Sequence, residues 1–205
     1  MRIEAFDFLK DVFSKNGFHL YVVGGTVRDF LLGKEITDLD FVTDATPEEE
    51  MKFIPEADFT FKKFGAVRYP NKGKHIDITT LRQEGEYNDS RHPSKVTFVK
   101  DPKLDYVRRD FTINAMYLDE EYRVIDFSSG QEDLKKKLIR FIGDPVKRIE
   151  EDPLRIARAE RFAKSLGFEI EEKTLQAIKD KRDLLEKLNP EKLKEEERKG
   201  WKGTL

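Results

Sequence analysis

Two aspartates one residue apart, Asp38 and Asp40, stand in "TDLDFVT", soon after the adjacent glycines Gly24 and Gly25 that end an apolar run. In an extended strand, residues i and i+2 point to one face, so the two carboxylates would share one space. Left alone they repel each other and raise one pKa. A divalent cation removes that cost, and oxygen-only ligation suits Mg²⁺, which takes a few carboxylates and completes its shell with phosphate and water oxygens. By itself the pair reads more readily as two surface aspartates in a turn. The glycines change the balance. At a strand-to-helix turn, residues without Cβ let backbone N–H groups approach a phosphate closely, and the following helix adds a favourable dipole. Arg28, one turn into that helix, can donate to the same phosphates. Glycine turn, arginine and paired aspartates, all between residues 24 and 40, together describe a triphosphate with its metal ions, and hence phosphoryl or nucleotidyl transfer. Asp77 in "HIDITT" is the natural third carboxylate, although an aspartate at a strand end can equally bond local backbone.

These residues need elements to position them. Ile3, Phe6, Leu9, Val12 and Phe13 recur at helical spacing, and Asn16-Gly17 closes that helix. "HLYVVGG" reads as a buried strand, "TVRDFLLG" as a short helix stopped by Gly33, and "TDLDFVT" as a second strand. "HIDITTL" (75–81), "KVTFV" (95–99), "INAMYLD" (113–119) and "RVIDFSSG" (123–130) supply further strands or strand ends. From Asp144 onward the chain reads as helices only, with Asp144-Pro145 and Asp152-Pro153 each patterned as an N-cap followed by proline. The expected class is therefore α+β, with a mixed-sheet domain over residues 1–140 and a helical region over 141–205.

Composition bounds the function. At 205 residues, 39 Lys and Arg against 41 Asp and Glu leave a net charge of −2, so any polyanion site must be a local patch. There is no cysteine, which excludes disulfides and thiolate metal sites. The N-terminal "MRIEAFDFLKDVFSKNG" has no uninterrupted apolar core, and no stretch approaches a membrane span, which makes a cytoplasmic location the default expectation.

Four ordered motifs, "GGTVRDFLLGKEITDLDFVT", "RRDFTINA", "IDFSSGQEDLKKKLIRFIGDP" and "EDPLRIARAERFAKSLGFEI", resemble the successive motifs of the class II tRNA nucleotidyltransferase and bacterial poly(A) polymerase family. The resemblance implies a polymerase-β-like nucleotidyltransferase head followed by an all-helical neck. It implies that Asp38 and Asp40 hold catalytic Mg²⁺, and that Gly25 and Arg28 meet the nucleotide phosphates. Arg109 would bind nucleotide, with Asp110 and Asn114 near the ribose. Asp152 and Arg155 would read the base in place of a template, on a face continued by Arg158 and Arg161, spaced every three residues. A carboxylate accepts from the exocyclic amine of cytosine or adenine, and a guanidinium donates to the adjacent ring acceptor. The competing reading makes these four a solvated helix face with Asp152 as a cap.

The implied activity is addition of CMP and AMP, from CTP and ATP, to a tRNA 3′ end. An A-adding enzyme or a poly(A) polymerase shares the chemistry, and a nucleotide- or RNA-binding module without turnover is the alternative of another kind. "LRQEGEYNDSRHPSKVTFV" resembles the loop that accompanies terminal A addition in the family. Members continue through further helical body and tail domains, whereas this chain stops at "KGWKGTL", so the resemblance covers the head and neck portion.

Overall fold

The computed structural model describes residues 2–85 and 95–203. It divides into two compact units, the first comprising residues 2–85, Lys95–Arg108 and Asn114–Ser128, the second Arg109–Ile113 and 129–203 among the described residues.

The first unit opens with helix α1 (Glu4–Lys15), whose Phe6, Leu9 and Phe13 are buried as the periodicity demands. Asn16 caps it, and Gly17, at φ +81°, turns the chain toward strand β1 (Leu20–Val23). Helix α2 (Gly25–Leu31) follows directly, then β2 (Asp40–Thr43), the short helix α3 (Pro47–Glu50) and a hairpin of β3 (Ala66–Asn71) and β4 (Lys74–Thr80). Strands β5 (Arg82–Glu84) and β6 (Val96–Phe98) form a separate antiparallel pair, followed by α4 (Pro102–Asp105), β7 (Tyr117–Leu118) and β8 (Val124–Ile125). The main sheet runs β3-β4-β2-β1-β7-β8, with β2 and β4 parallel and the other neighbours antiparallel. One face packs on α1, where Phe6 meets Phe41 at 5.3 Å between ring centroids. Val23, Val42, Leu81 and Tyr117 form a second buried cluster.

Strand β2 begins at Asp40, so Asp38 lies in a bend ahead of the strand rather than within it. The cause is local. The Thr26 hydroxyl donates to the Asp38 carbonyl and accepts from the Asp40 N–H, both at 3.0 Å, taking up groups that a strand would pair. "INAMYLD" likewise begins as a 3₁₀ turn (Thr112–Asn114) and reaches strand geometry only at β7.

The second unit contains α5 (Gly130–Lys136), β9 (Leu138–Ile139), α6 (Pro145–Glu151), α7 (Leu154–Leu166), β10 (Glu169–Ile170), α8 (Glu172–Asp180) and α9 (Pro190–Arg198). It is not purely helical, because β10 pairs in parallel with β9. Asp144 caps α6 as its sequence announces, accepting from Lys147 N–H at 2.8 Å. Asp152 instead closes α6 and accepts at 3.1 Å from the N–H of Leu154, the first residue of α7. Phe111 stacks on Phe141 at 5.1 Å and meets Phe162 edge-on. Near the C-terminal end, the buried Trp201 indole donates to buried Glu160 at 2.7 Å, and Arg182 donates to the same carboxylate. Among the described residues no helix is long and apolar enough to cross a membrane.

Candidate nucleotide and metal site

In the first unit the β1–α2 turn and the start of β2 come together. Gly24 has φ +69° and ψ −139°, a region essentially reserved for glycine, and a Cβ there would stand 3.7 Å from Asp40 Oδ2. The carboxylate thus lies against the glycine turn. A Cβ at Gly25 would come within 3.3 Å of Arg28 Nη2. Arg28 is buried, donating through Nε and Nη2 to the two oxygens of Asp29 and through Nη1 to Asn114 Oδ1, each at 2.9 Å. Its charge sits beneath the turn on a fixed fork.

Asp40 and Asp77 are register partners on parallel β2 and β4, so both side chains leave the same face of the sheet. Asp77 N–H donates to the Leu39 carbonyl at 3.1 Å, which joins the strand to the carboxylate segment. The Asp77 carboxylate also receives Arg68 Nε at 3.3 Å and lies 3.6 Å from His75 Nε2. Asp38 is exposed and accepts a long 3.4 Å bond from Thr37 Oγ1. Among the described residues no group of three or more His, Asp or Glu forms a ready metal cage. Asp40 and Asp77, two carboxylates on one face with Asp40 against the Gly24 turn, nonetheless offer the kind of donor set that fits Mg²⁺, which is normally held by one or two carboxylates together with substrate phosphates.

In the second unit, Asp110 sits at the centre of the predicted residues. Burial pushes its carboxyl up, but the Arg158 charge, two bonds from Arg158 Nε and Nη2 at 2.9 and 2.5 Å and one from Phe111 N–H outweigh this and hold it below the usual carboxylate range. Arg155 is buried and donates to the Arg148 carbonyl at 2.7 Å and to Glu151 at 2.9 Å. Arg148 links Glu151 at 2.6 Å to the Arg109 carbonyl at 2.8 Å, which ties "RRDF" to the segment carrying Asp152. Arg161 donates to buried Glu196 of α9 at 2.7 Å and lies over the Phe162 ring at 4.2 Å. Arg155, Arg158 and Arg161 are therefore each tied to a carboxylate within the unit.

Sequence reasoning missed Thr26, Asp29, Glu151, Arg148 and Glu196. A signal existed for Asp29, next to Arg28, whereas Glu151 and Arg155 sit on separate helices with extended Asp152 between them, so no helical spacing announces their pair. Nothing in the sequence distinguishes the Thr26 hydroxyl from any other.

The model of the poly(A) polymerase head domain matches residues 20–140, more than half of the chain. The chain belongs to the poly(A) polymerase head-domain family. Among family relatives, the CCA-adding enzyme of Lactobacillus helveticus is 46% identical over 180 residues, covering 88% of this chain and 45% of that protein. The crystal structure of the Bacillus stearothermophilus CCA-adding enzyme in complex with CTP superposes with a TM-score of 0.87 at 37% identity, over 96% of this chain and 47% of that one. The Thermotoga maritima CCA-adding enzyme complexed with tRNA gives a TM-score of 0.76 at 32% identity, over 96% and 46%. The chain spans about half the length of the relatives it matches. The family assignment confirms the polymerase-β-like head and mixed sheet expected from the motifs. Residues 86–94, in the middle of the segment compared with the family's A-addition loop, lie outside the described residues; β5 and β6 flank them.

Proposed function

We propose that this chain carries the catalytic and base-selecting portion of a tRNA nucleotidyltransferase that adds CMP and AMP to the tRNA 3′ end. The observation that carries the reading is the Asp40 carboxylate, set against the Gly24 turn and in register with Asp77. Asp38 and Asp40 would hold Mg²⁺, which supplies charge neutralisation at the triphosphate and activation of the RNA 3′-hydroxyl. The turn at Gly24 and Gly25 offers backbone N–H groups to the phosphates, with the Arg28 charge fixed by Asp29 and Asn114 behind them. The 3′-hydroxyl gives up its proton to water as it attacks the α-phosphorus, the bond to the bridging oxygen breaks, and pyrophosphate leaves. Asp77, in register with Asp40, supplies a further carboxylate on the face that Asp40 leaves. Asp152 and Arg155 select the base: a carboxylate that expects an amine donor rejects uracil and guanine, which present a carbonyl there. Glu151 orients Arg155, and Arg158 fixes Asp110; Arg109 and Asn114 complete the nucleotide contacts.

The test is incubation with labelled CTP or ATP, Mg²⁺ and tRNAs lacking zero to three terminal nucleotides. The expected result is C added to the two shorter acceptors and A to the acceptor ending in CC, with all incorporation lost in Asp40→Asn at unchanged circular dichroism. Addition of A alone would mark an A-adding enzyme, and long A tails a poly(A) polymerase. Binding of nucleotide without incorporation would refute transfer altogether.

A further inference from the structure

The segment "TFKKFG", residues 60–65, enters none of the steps above. Phe61 and Phe64 remain 44% and 43% exposed, with Lys62 and Lys63 exposed between them on a 3₁₀ turn (Lys62–Phe64). The turn is firmly built. Asp58 accepts from Thr60 N–H at 2.9 Å and from its hydroxyl at 2.6 Å, and Gly65 N–H donates to the Lys62 carbonyl at 2.8 Å. Arg82 donates to the Phe64 carbonyl. Gly65, at φ +78°, is wedged so closely that a Cβ would stand 2.8 Å from Phe98 Cε1. The backbone beneath the two exposed rings is thus fixed by hydrogen bonds at both ends of the turn.

Each ring is paired with a cation. Lys63 Nζ lies 4.7 Å from the Phe64 centroid, and the Arg68 guanidinium 5.3 Å from that of Phe61. Arg68 leads to the carboxylates: its register partner is Asp77, whose partner is Asp40, so Arg68, Asp77 and Asp40 form a row across β3, β4 and β2. Exposed aromatic faces interleaved with cations are the surface that unpaired nucleic acid requires, bases on the rings and phosphates on the charges.

We infer that this turn is a stacking platform for the unpaired 3′ end of the acceptor RNA, with Phe61 and Phe64 under successive bases and Lys62, Lys63 and Arg68 on the phosphates. The inference rests on the nucleotidyl-transfer reading for its direction, since the row from Phe61 through Arg68 and Asp77 ends at Asp40. Stacking is tolerant of base identity, which suits a strand whose last nucleotides change with every addition.

The probe is a fluorescein-labelled single-stranded RNA octamer ending in CC, compared with a blunt RNA hairpin, by anisotropy on the full chain. Phe61→Ala should weaken octamer binding about tenfold or more, raise the KM for RNA by a similar factor and leave the KM for CTP unchanged. Phe61→Tyr should bind within about twofold of wild type, while Phe61→Leu, apolar but without a π face, should behave like the alanine variant. Wild-type affinity in Phe61→Ala, full rescue by leucine, or equal affinity for the hairpin would each overturn the platform. Wild type that binds the octamer with this dependence yet adds no nucleotide upholds the platform and rejects transfer. Wild type that adds nucleotide while Phe61→Ala is unaffected rejects the platform alone.

Discussion

The Thr26 hydroxyl is bonded twice, to the Asp38 carbonyl and the Asp40 N–H, and so fixes the backbone between two carboxylates from the first turn of α2. A valine has nearly the same shape but strands both backbone groups. Thr26→Val should cost about 1–3 kcal/mol in urea unfolding and lower kcat more than the KM for CTP, and Thr26→Ser should recover both. Identical unfolding curves would show that the two bonds carry nothing. Two carboxyls should respond to pH in opposite directions. Asp110 is held below its ordinary value, so it contributes stability above its unfolded pKa of about 3.9 and loses it as pH falls through the folded value. The stability gap between wild type and Asp110→Asn should therefore be widest near neutrality and close in acid. Glu50 is fully buried, with neither carboxylate oxygen hydrogen-bonded, and burial followed by the nearby Glu48 and Glu49 charges pushes it well above the usual range. Here the folded state holds the proton longer, so stability falls as pH rises above about 4.3. Glu50→Gln should flatten that slope in melts between acid and neutral pH, and an unaltered slope would reject the assignment.

Among the elements, what the sequence announces is burial and what it conceals is pairing across distance. Phe6, Leu9 and Phe13 mark α1 by their period, Asp144-Pro145 marks the start of α6, and Gly24-Gly25 marks the turn from β1 into α2, because each signal is contained within a few adjacent residues. The spacing of Arg155, Arg158 and Arg161 correctly indicates one face of α7, but their partners Glu151, Asp110 and Glu196 come from three different segments. No period in a single chain reports such pairings. The same limit explains β2, shortened by a hydroxyl from α2, and the short strand β10, whose partner β9 lies on the other side of two helices. Glu196 joins α9 to α7 by receiving Arg161, with Arg158 at 3.9 Å and Lys199 at 3.6 Å. Removing one side of a buried pair leaves an uncompensated charge, so Glu196→Ala should destabilise the chain by about 3 kcal/mol in denaturant titration. A loss near zero would mean that α9 is held by its apolar contacts alone.

Over the full chain a net charge of −2 offers a polyanion no general attraction, so on the proposed platform RNA affinity comes from the local cations Lys62, Lys63 and Arg68. With about three phosphates neutralised on a single strand, the logarithm of affinity should fall with the logarithm of salt concentration at a slope of about 2. A slope beyond about 5 in anisotropy titrations would reveal a much larger basic surface. The chain contains one tryptophan, Trp201, and it is folded into the second unit against Glu160. That gives the protein a built-in optical label on one unit only. Indole emission follows the melting of residues 129–203, whereas far-ultraviolet dichroism averages over the helices and strands of both units. If the two signals separate along a denaturant series, the units unfold as independent bodies, and the order of their loss can be read with no dye attached.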